Sequence, residues 1–302
     1  MNSQAGSVGS GSDEIQDELR LLKDKIRNLR KSLTELTPPL SALLRRRGFR
    51  IYKKEPPDDL FLPGNRFMDD YYSHLNRYSF RLFLRDVIKH QELFTVGDVT
   101  RYSTQEVTAD YVRFLLRAGL IKKANRAGSY RFRKRSVKSF GPTLEWFMSE
   151  ILRREFAAEG LWGIKFKRPV VGGDYDVIAK IDGSLLYVEV KSSPPKQIYA
   201  NEISAFFDRV LDLSPEITVF FMDTELRMKD KIVPMFEEEL RKRSSEALFS
   251  YLGTPPAAHE TPLVKRIEKE LFQIGNKIFI INAKESIVNN IEKVLSRYLR
   301  KT

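Results

Sequence analysis

Gly173-Asp174-Tyr175-Asp176-Val177-Ile178-Ala179 and Leu186-Tyr187-Val188-Glu189-Val190-Lys191 lie on either side of the turn pair Asp182-Gly183. Asp-Gly favours a two-residue hairpin, so 175–179 and 185–191 are expected as adjacent antiparallel strands. Alternate residues of a strand share a face, which points Glu189 and Lys191 one way and Val188 and Val190 the other. A carboxylate and an ammonium on a mostly apolar strand are costly to bury unless they pair, bind metal or do chemistry. Asp176, on the neighbouring strand, brings a second carboxylate to the same edge. Two carboxylates suit Mg²⁺ in phosphate chemistry, with Mn²⁺ as a substitute. Such an ion neutralises charge on the phosphate and lowers the pKa of the attacking water. Lys191 would orient or deprotonate that water, or pair with the phosphate. The plainer alternative is a surface ion pair on an edge strand. Of all the acidic residues, Glu189 alone is followed two places later by lysine.

Outward from the hairpin the pattern is that of an α/β fold. A helix is expected over 143–158, a strand over 164–170 and a turn at Gly172-Gly173. After the hairpin come a helix over 196–213 and the apolar strand 217–222, which reads as buried and central. Helical segments are expected over 225–251 and 261–272, then a strand over 277–282 and a closing helix over 286–300. This is a mixed sheet flanked by helices.

Asp176, twelve intervening residues and then Glu189-Val190-Lys191 resemble the PD-(D/E)xK nuclease superfamily, the restriction-endonuclease-like fold. The wording is most similar to that of archaeal Holliday-junction resolvases and Mrr-type restriction enzymes. The resemblance covers about 141–223 and includes the element order read above. It implies Mg²⁺-dependent hydrolysis of DNA phosphodiesters in restriction, repair or recombination, with Asp176 and Glu189 as catalytic metal ligands and Lys191 at the water. It also implies a glutamate early in the first helix after a glycine. Gly141 and Glu145 match, making Glu145 the expected third ligand and Glu150 the fallback. Tyr175 stands where the family often has proline. Lys196 and Gln197 are expected near the phosphate, and Asp174 in a turn or supporting role.

Residues 78–138 read as a winged helix-turn-helix domain. A helix over 79–91 carries Phe80, Phe83, Leu84, Val87 and Ile88, and a short helix follows near 97–102. Ser103 and Glu106 then form a capping-box pattern opening a third helix, which Gly119 ends. A hairpin completes the unit. Its wing, 122–138, holds Lys122, Lys123, Arg126, Arg131, Arg133, Lys134, Arg135 and Lys138 and no acidic residue. In that geometry the third helix enters the major groove and the wing grips phosphates. Gln105 and Thr108, with Thr104, are the small polar residues expected to reach base edges. A winged helix serving only protein contacts is the bland alternative.

Residues 1–12 read as a flexible tail without the apolar core of a secretion signal. Ile15, Leu19, Leu22, Ile26, Leu29, Leu33 and Leu36 alternate spacings of four and three, the seam of a coiled coil. A helix over 13–37 would make a homodimer, or else pack on its own chain, and Pro38-Pro39 stops it. Residues 38–77, with Arg45-Arg46-Arg47 and Lys53-Lys54, read as a basic linker that contacts DNA or is simply solvated. The nuclease domain is expected over 139–302.

The 302 residues carry a net charge of +12, which draws the chain towards polyanions such as nucleic acid. There is no cysteine and only three scattered histidines, which excludes disulfides and cysteine-ligated zinc. No apolar run reaches the roughly 18 residues of a membrane span, so a soluble, cytoplasmic protein associated with the nucleoid is expected. No Gly-x-x-x-x-Gly-Lys-Ser/Thr loop occurs, so no nucleotide cofactor is expected. Two other functions fit the same residues: a non-catalytic DNA-binding regulator on an inactive nuclease fold, and an RNA-processing nuclease.

Overall fold

The computed structural model describes residues 38–133, 137–167, 171–243, 246–253 and 264–300, together with positions 18, 19, 21–26, 28, 29 and 32. The chain divides into two compact units, Met1–Phe49 and Arg50–Thr302. In the first, the described positions between 18 and 32 are helical, and Leu19, Leu22, Ile26 and Leu29 of the heptad stand exposed. Ile15, Leu33, Leu36 and the tail 1–12 lie outside the described residues. Helix α1 (Leu40–Arg46) follows Pro39, with Arg45 and Arg46 in its last turn.

The second unit is an α/β structure built on an eight-stranded mixed sheet. Its centre is the expected hairpin, β6 (Tyr175–Ile181) and β7 (Ser184–Lys191). Asp182 and Gly183 both have positive φ, 47° and 84°, which a tight primed turn demands. The antiparallel register Val177↔Val188 follows from that turn. β5 (Glu159–Phe166) flanks β6 antiparallel. Helix α6 (Ala200–Leu213) then carries the chain to β8 (Ile217–Met222), which runs parallel to β7 and is buried along its whole length. β11 (Ile278–Asn282) adds in parallel beyond β8. A strand paired on both edges and covered on both faces is nearly all apolar, as Ile217–Met222 is, its one polar residue, Thr218, being buried against the Tyr251 hydroxyl at 3.0 Å.

Helix α5 (Gly141–Phe156) buries Leu144, Phe147, Met148, Ile151 and Leu152 in the core that also holds Val177, Val188 and Val219. Beyond β7, α6 packs an aromatic cluster. Phe206, Phe220 and Phe236 of helix α7 (Ile232–Lys242) lie edge to face at centroid separations of 5.0–5.7 Å.

Ahead of the sheet stand helices α2 (Met68–Leu75), α3 (Tyr78–Lys89) and α4 (Gln105–Arg117). A second sheet accompanies them, made of β2 (Phe94–Thr95), β3 (Ile121–Lys123) and β4 (Ser129–Phe132), with β4 in the middle. One continuous core runs from Phe80, Tyr111 and Phe114 through Phe140 to the sheet, crossing residue 138 without a break. Buried Asp223, just after β8, accepts from Arg81 Nε at 2.8 Å and from Arg85 Nη2 at 2.5 Å, tying α3 to the end of the central strand.

Several elements differ from the reading of the sequence. Residues 51–53 and 68–75 are not linker: β1 (Ile51–Lys53) is the sheet's edge strand, and α2 buries Tyr71, Tyr72 and Leu75. The short second helix is a 3₁₀ turn, Gly97–Val99. α4 is capped by Thr104, whose hydroxyl accepts from Val107 N–H, rather than by Ser103. β5 starts at Glu159, five residues before the expected 164. Residues 225–231 are not helical; α7 begins at Ile232, and α8 (Glu246–Leu252) follows it. The largest departure is at 264–272, the described part of the stretch 261–272 expected to be helical. β9 (Val264–Glu268) and β10 (Leu271–Ile274) form a hairpin that extends the sheet beyond β11. The order across the whole sheet is β1-β5-β6-β7-β8-β11-β10-β9.

Candidate functional site

Asp176 stands at the start of β6, with Glu189 and Lys191 at the end of β7. Extending the register Val177↔Val188 by one step sets Asp176 opposite Glu189, and an Asp176 carboxylate oxygen accepts from Val190 N–H at 2.7 Å. The sheet therefore brings together the three residues singled out in the sequence.

Glu189 is 1% exposed, and what neutralises it was not legible beforehand. Arg209 of α6 donates from Nη2 to Glu189 Oε1 at 2.7 Å and from Nε to Oε2 at 3.2 Å. The Tyr187 hydroxyl donates to the same Oε2 in a short bond and accepts from Arg209 Nε at 2.9 Å. Lys191 Nζ lies 3.0 Å from Glu189 Oε1 and 3.0 Å from Glu202 Oε2. Two carboxylates and two cations thus form an electroneutral quartet, which is the condition for burying charge. Gly173 belongs to this arrangement: its φ is +103°, and a Cβ there would lie 3.3 Å from Arg209 Nη1. The signal for Arg209 was its place on the apolar stripe of α6, between Phe206 and Val210.

Glu145 and Asp176 lie outside that balance, and neither has an ion pair among the described residues. Burial, then the Asp174 and Glu189 charges, push the Glu145 carboxyl up to about 7. Asp176 is raised well above the carboxylate range by burial, then by Glu189 and Glu145, against the opposing Val190 N–H bond and Lys191. Burial alone would lower Lys191; Glu189, Asp176 and Glu202 outweigh it and hold its pKa above the ordinary lysine value. These neighbours favour the charged form of the Lys191 amine.

The donor set is hard carboxylate oxygen, the chemistry that suits Mg²⁺. Two of the three expected ligands, Glu145 and Asp176, repel one another's charge and would gain from a cation. Glu189 is held by Arg209, Tyr187 and Lys191, and among the described residues no three acidic or histidine side chains already converge as a metal site. Glu150 is not brought to the centre: it binds Arg153 and Arg154. Asp174 pairs with Lys165 at 3.0 Å at the surface. Lys196 and Gln197 are exposed on the 3₁₀ turn Pro195–Gln197.

Of the residues expected to touch DNA, Gln105 is exposed at the start of α4, whereas Thr108 is fully buried. Thr108 donates to the Thr104 carbonyl at 2.9 Å and bonds the Ser103 hydroxyl at 2.8 Å, so it does not present to solvent. Lys123, Arg126, Arg131 and Arg133 are exposed and Lys122 is half-buried. Lys122 stands directly across from Arg131, a like-charge pair that destabilises a hairpin and is relieved by an anion. Lys134 and Arg135 lie outside the described residues. No helix among the described residues is long and apolar enough to cross a membrane.

The fold and site define an α/β chain with a buried acid–lysine centre at the end of a hairpin. No protein-family model matches the sequence, and no curated protein matches it. Among solved structures it is similar to Can2 from Sulfobacillus thermosulfidooxidans, solved in complex with cyclic tetra-adenylate. That match is at 18% identity and a TM-score of 0.37, over 61% of this chain and 50% of that one. It is also similar to protein VC1899 from Vibrio cholerae, at 15% identity and a TM-score of 0.39, over 63% of this chain and 53% of that one. The chain thus spans about half the length of each of these proteins.

Proposed function

We propose that this chain is a Mg²⁺-dependent endonuclease of the PD-(D/E)xK kind, hydrolysing DNA phosphodiester bonds. The observation that carries this reading is Asp176 set opposite Glu189 with Lys191 3.0 Å from that glutamate, and Glu145 within electrostatic reach of them, two of the carboxylates having no ion pair among the described residues. Asp176 and Glu145 would hold the ion, joined by Glu189 once it leaves Arg209. When bound, Mg²⁺ supplies charge neutralisation at the phosphate and a more acidic water. Lys191 faces a non-bridging phosphate oxygen and orients the water. Hydrolysis joins the water oxygen to phosphorus, breaks one P–O ester bond, and leaves a proton for the departing alkoxide. Residues 78–138 act as the winged helix, with Lys122, Lys123, Arg126, Arg131 and Arg133 on phosphates and Gln105 towards the bases. The heptad of 13–37 pairs two copies, which supplies a second centre for the opposite strand.

One observation favours a second reading, a DNA-binding protein that does not cut: Glu189 is occupied by Arg209. A single assay separates the two. Wild type and Lys191→Ala are incubated with supercoiled plasmid, single-stranded DNA, a branched junction and RNA, in Mg²⁺, Mn²⁺ or EDTA. Metal-dependent cutting of DNA that disappears in the variant is expected. Binding without cutting in any metal overturns the nuclease in favour of the second reading, and preference for RNA overturns the choice of substrate.

A further inference from the structure

A cavity of about 390 Å³ lies where α3, the segment just before α5 and the segment after β7 meet, lined by Arg85, Lys89, Lys138, Ser139, Phe140 and Ser192 among others. Three of its lining residues are cations and none is acidic. Ser192 directly follows Lys191, so the cavity adjoins the end of β7 that carries the acid–lysine centre. The Lys191 carbonyl accepts from Asp223 N–H at 2.8 Å, and Asp223 in turn holds Arg85. Arg85 is thus locked to the strand end beside the centre, with its guanidinium 5.6 Å from the Phe140 ring centroid.

The positive charge in this cavity is poorly compensated. Arg85 spends Nη2 on Asp223, but its Nε is buried without a hydrogen-bond partner among the described residues. Lys89 has no ion pair among the described residues. Lys138 reaches Asp59 only at 3.9 Å, and its side chain is 88% exposed, a geometry that contributes little. Asp223 answers Arg85 and Asp86 lies within electrostatic reach of Lys89 and Arg85, yet no acid lines the cavity itself; three cations with two hydroxyls at hand match a phosphate diester, whose non-bridging oxygens meet charge-assisted donors. A neutral ligand would leave that charge unanswered.

We propose that this cavity binds a backbone phosphate of duplex DNA, neighbouring the one presented to Lys191, through Lys89, Lys138 and Arg85. Its place next to the phosphate at Lys191 rests on the nuclease reading, whereas the phosphate site itself rests on the geometry of the cavity. The site makes α3 a part of substrate placement, so that the segment before residue 138 sets the position of the strand at the catalytic end and does more than raise overall affinity.

The test uses the full chain in EDTA with a fluorescent duplex, so that binding is read without cleavage. The variants are Lys89→Ala, Lys138→Ala and the pair, with exposed Lys265→Ala on β9 as a control of equal charge. Arg85 is left in place because Asp223 needs it. Removing one cation from a phosphate lowers the salt slope by about one and weakens binding about tenfold near 0.05 M salt. The pair is expected to show both effects, with Lys265→Ala unchanged. Repeating the series with Mg²⁺ and following the cleavage position reads placement: the pair is expected to blur the cut position on an end-labelled duplex. Equal salt slopes for the pair and wild type overturn the phosphate site. A reduced slope in a protein that never cuts leaves the phosphate site standing and overturns the nuclease reading. A reduced slope with an unchanged cut position overturns the placement role.

Discussion

Arg209 carries the most informative substitution in this molecule. Its side chain is 10% exposed, and it gives Glu189 two hydrogen bonds, at 2.7 and 3.2 Å. Arg209→Met keeps most of the volume and removes the charge, leaving Glu189 buried with Lys191 and the Tyr187 hydroxyl. Breaking a buried pair from one side costs about 3–5 kcal/mol. Lys191, already 3.0 Å away, offsets part of this, so about 3 kcal/mol is expected. For a unit of this size each kcal/mol moves Tm by about 2–4 °C, giving a fall of roughly 6–12 °C by calorimetry in EDTA. The second half of the cycle is Glu189→Gln. The double variant is expected to recover most of the loss, because replacing both partners is often near neutral. Mg²⁺ supplies a third arm. With Arg209 gone, Glu189 is free to join Asp176 and Glu145, so added Mg²⁺ should raise Tm more in Arg209→Met than in wild type. A loss below about 1 kcal/mol, or additive single effects, would refute the quartet as a unit.

The remaining expectations concern separate parts of the molecule. Glu145 has a folded pKa of about 7, raised from its unfolded value, so the folded state holds the extra proton. The Glu145 contribution to metal-free stability should therefore fall by roughly 3 kcal/mol as pH rises from about 4.5 to 7, with Asp176, also raised, extending the fall. Glu145→Gln should flatten that limb in pH-dependent urea melts, and an unaltered limb would reject the assignment. Asp223→Asn leaves Arg81 buried with a weakened partner and should cost about 3 kcal/mol, read as a lower urea midpoint. A change under about 1 kcal/mol would show that α3 is not anchored there. Replacing Arg126, Arg131 and Arg133 with alanine should lower the salt slope of DNA binding by about one for each phosphate they neutralise, and an unchanged slope would remove the wing from the interface.

How much could be read beforehand varies with the range of the forces involved. The hairpin was legible because Asp182-Gly183 and the alternation around it are local, and β8 because a doubly covered strand is nearly all apolar. Asp176, Glu189 and Lys191 were legible because their spacing and the two-residue turn bring them to one end. Residues 264–272 differ from the helix expected over 261–272 because Val264, Ile267 and Leu271 stand at spacings of three and four, a helical pattern. Strand pairing to β11 overrides that preference, and the two-residue turn between β9 and β10 replaces a helical continuation.

The α/β class, the hairpin, and the acids and lysine at its end rest on periodicity and turn chemistry within a few residues, and so can be read from local stretches of the chain. Long-range packing selects Arg209, twenty residues beyond Glu189, as the group that neutralises it. It also makes Asp223 the anchor of a helix more than a hundred residues earlier and lets β1 and β9 close the sheet's two edges. A buried charge requires a partner, but which partner depends on where the crossover helix and the preceding helices come to rest. That is set by packing across the whole core and is written in no single stretch of the chain.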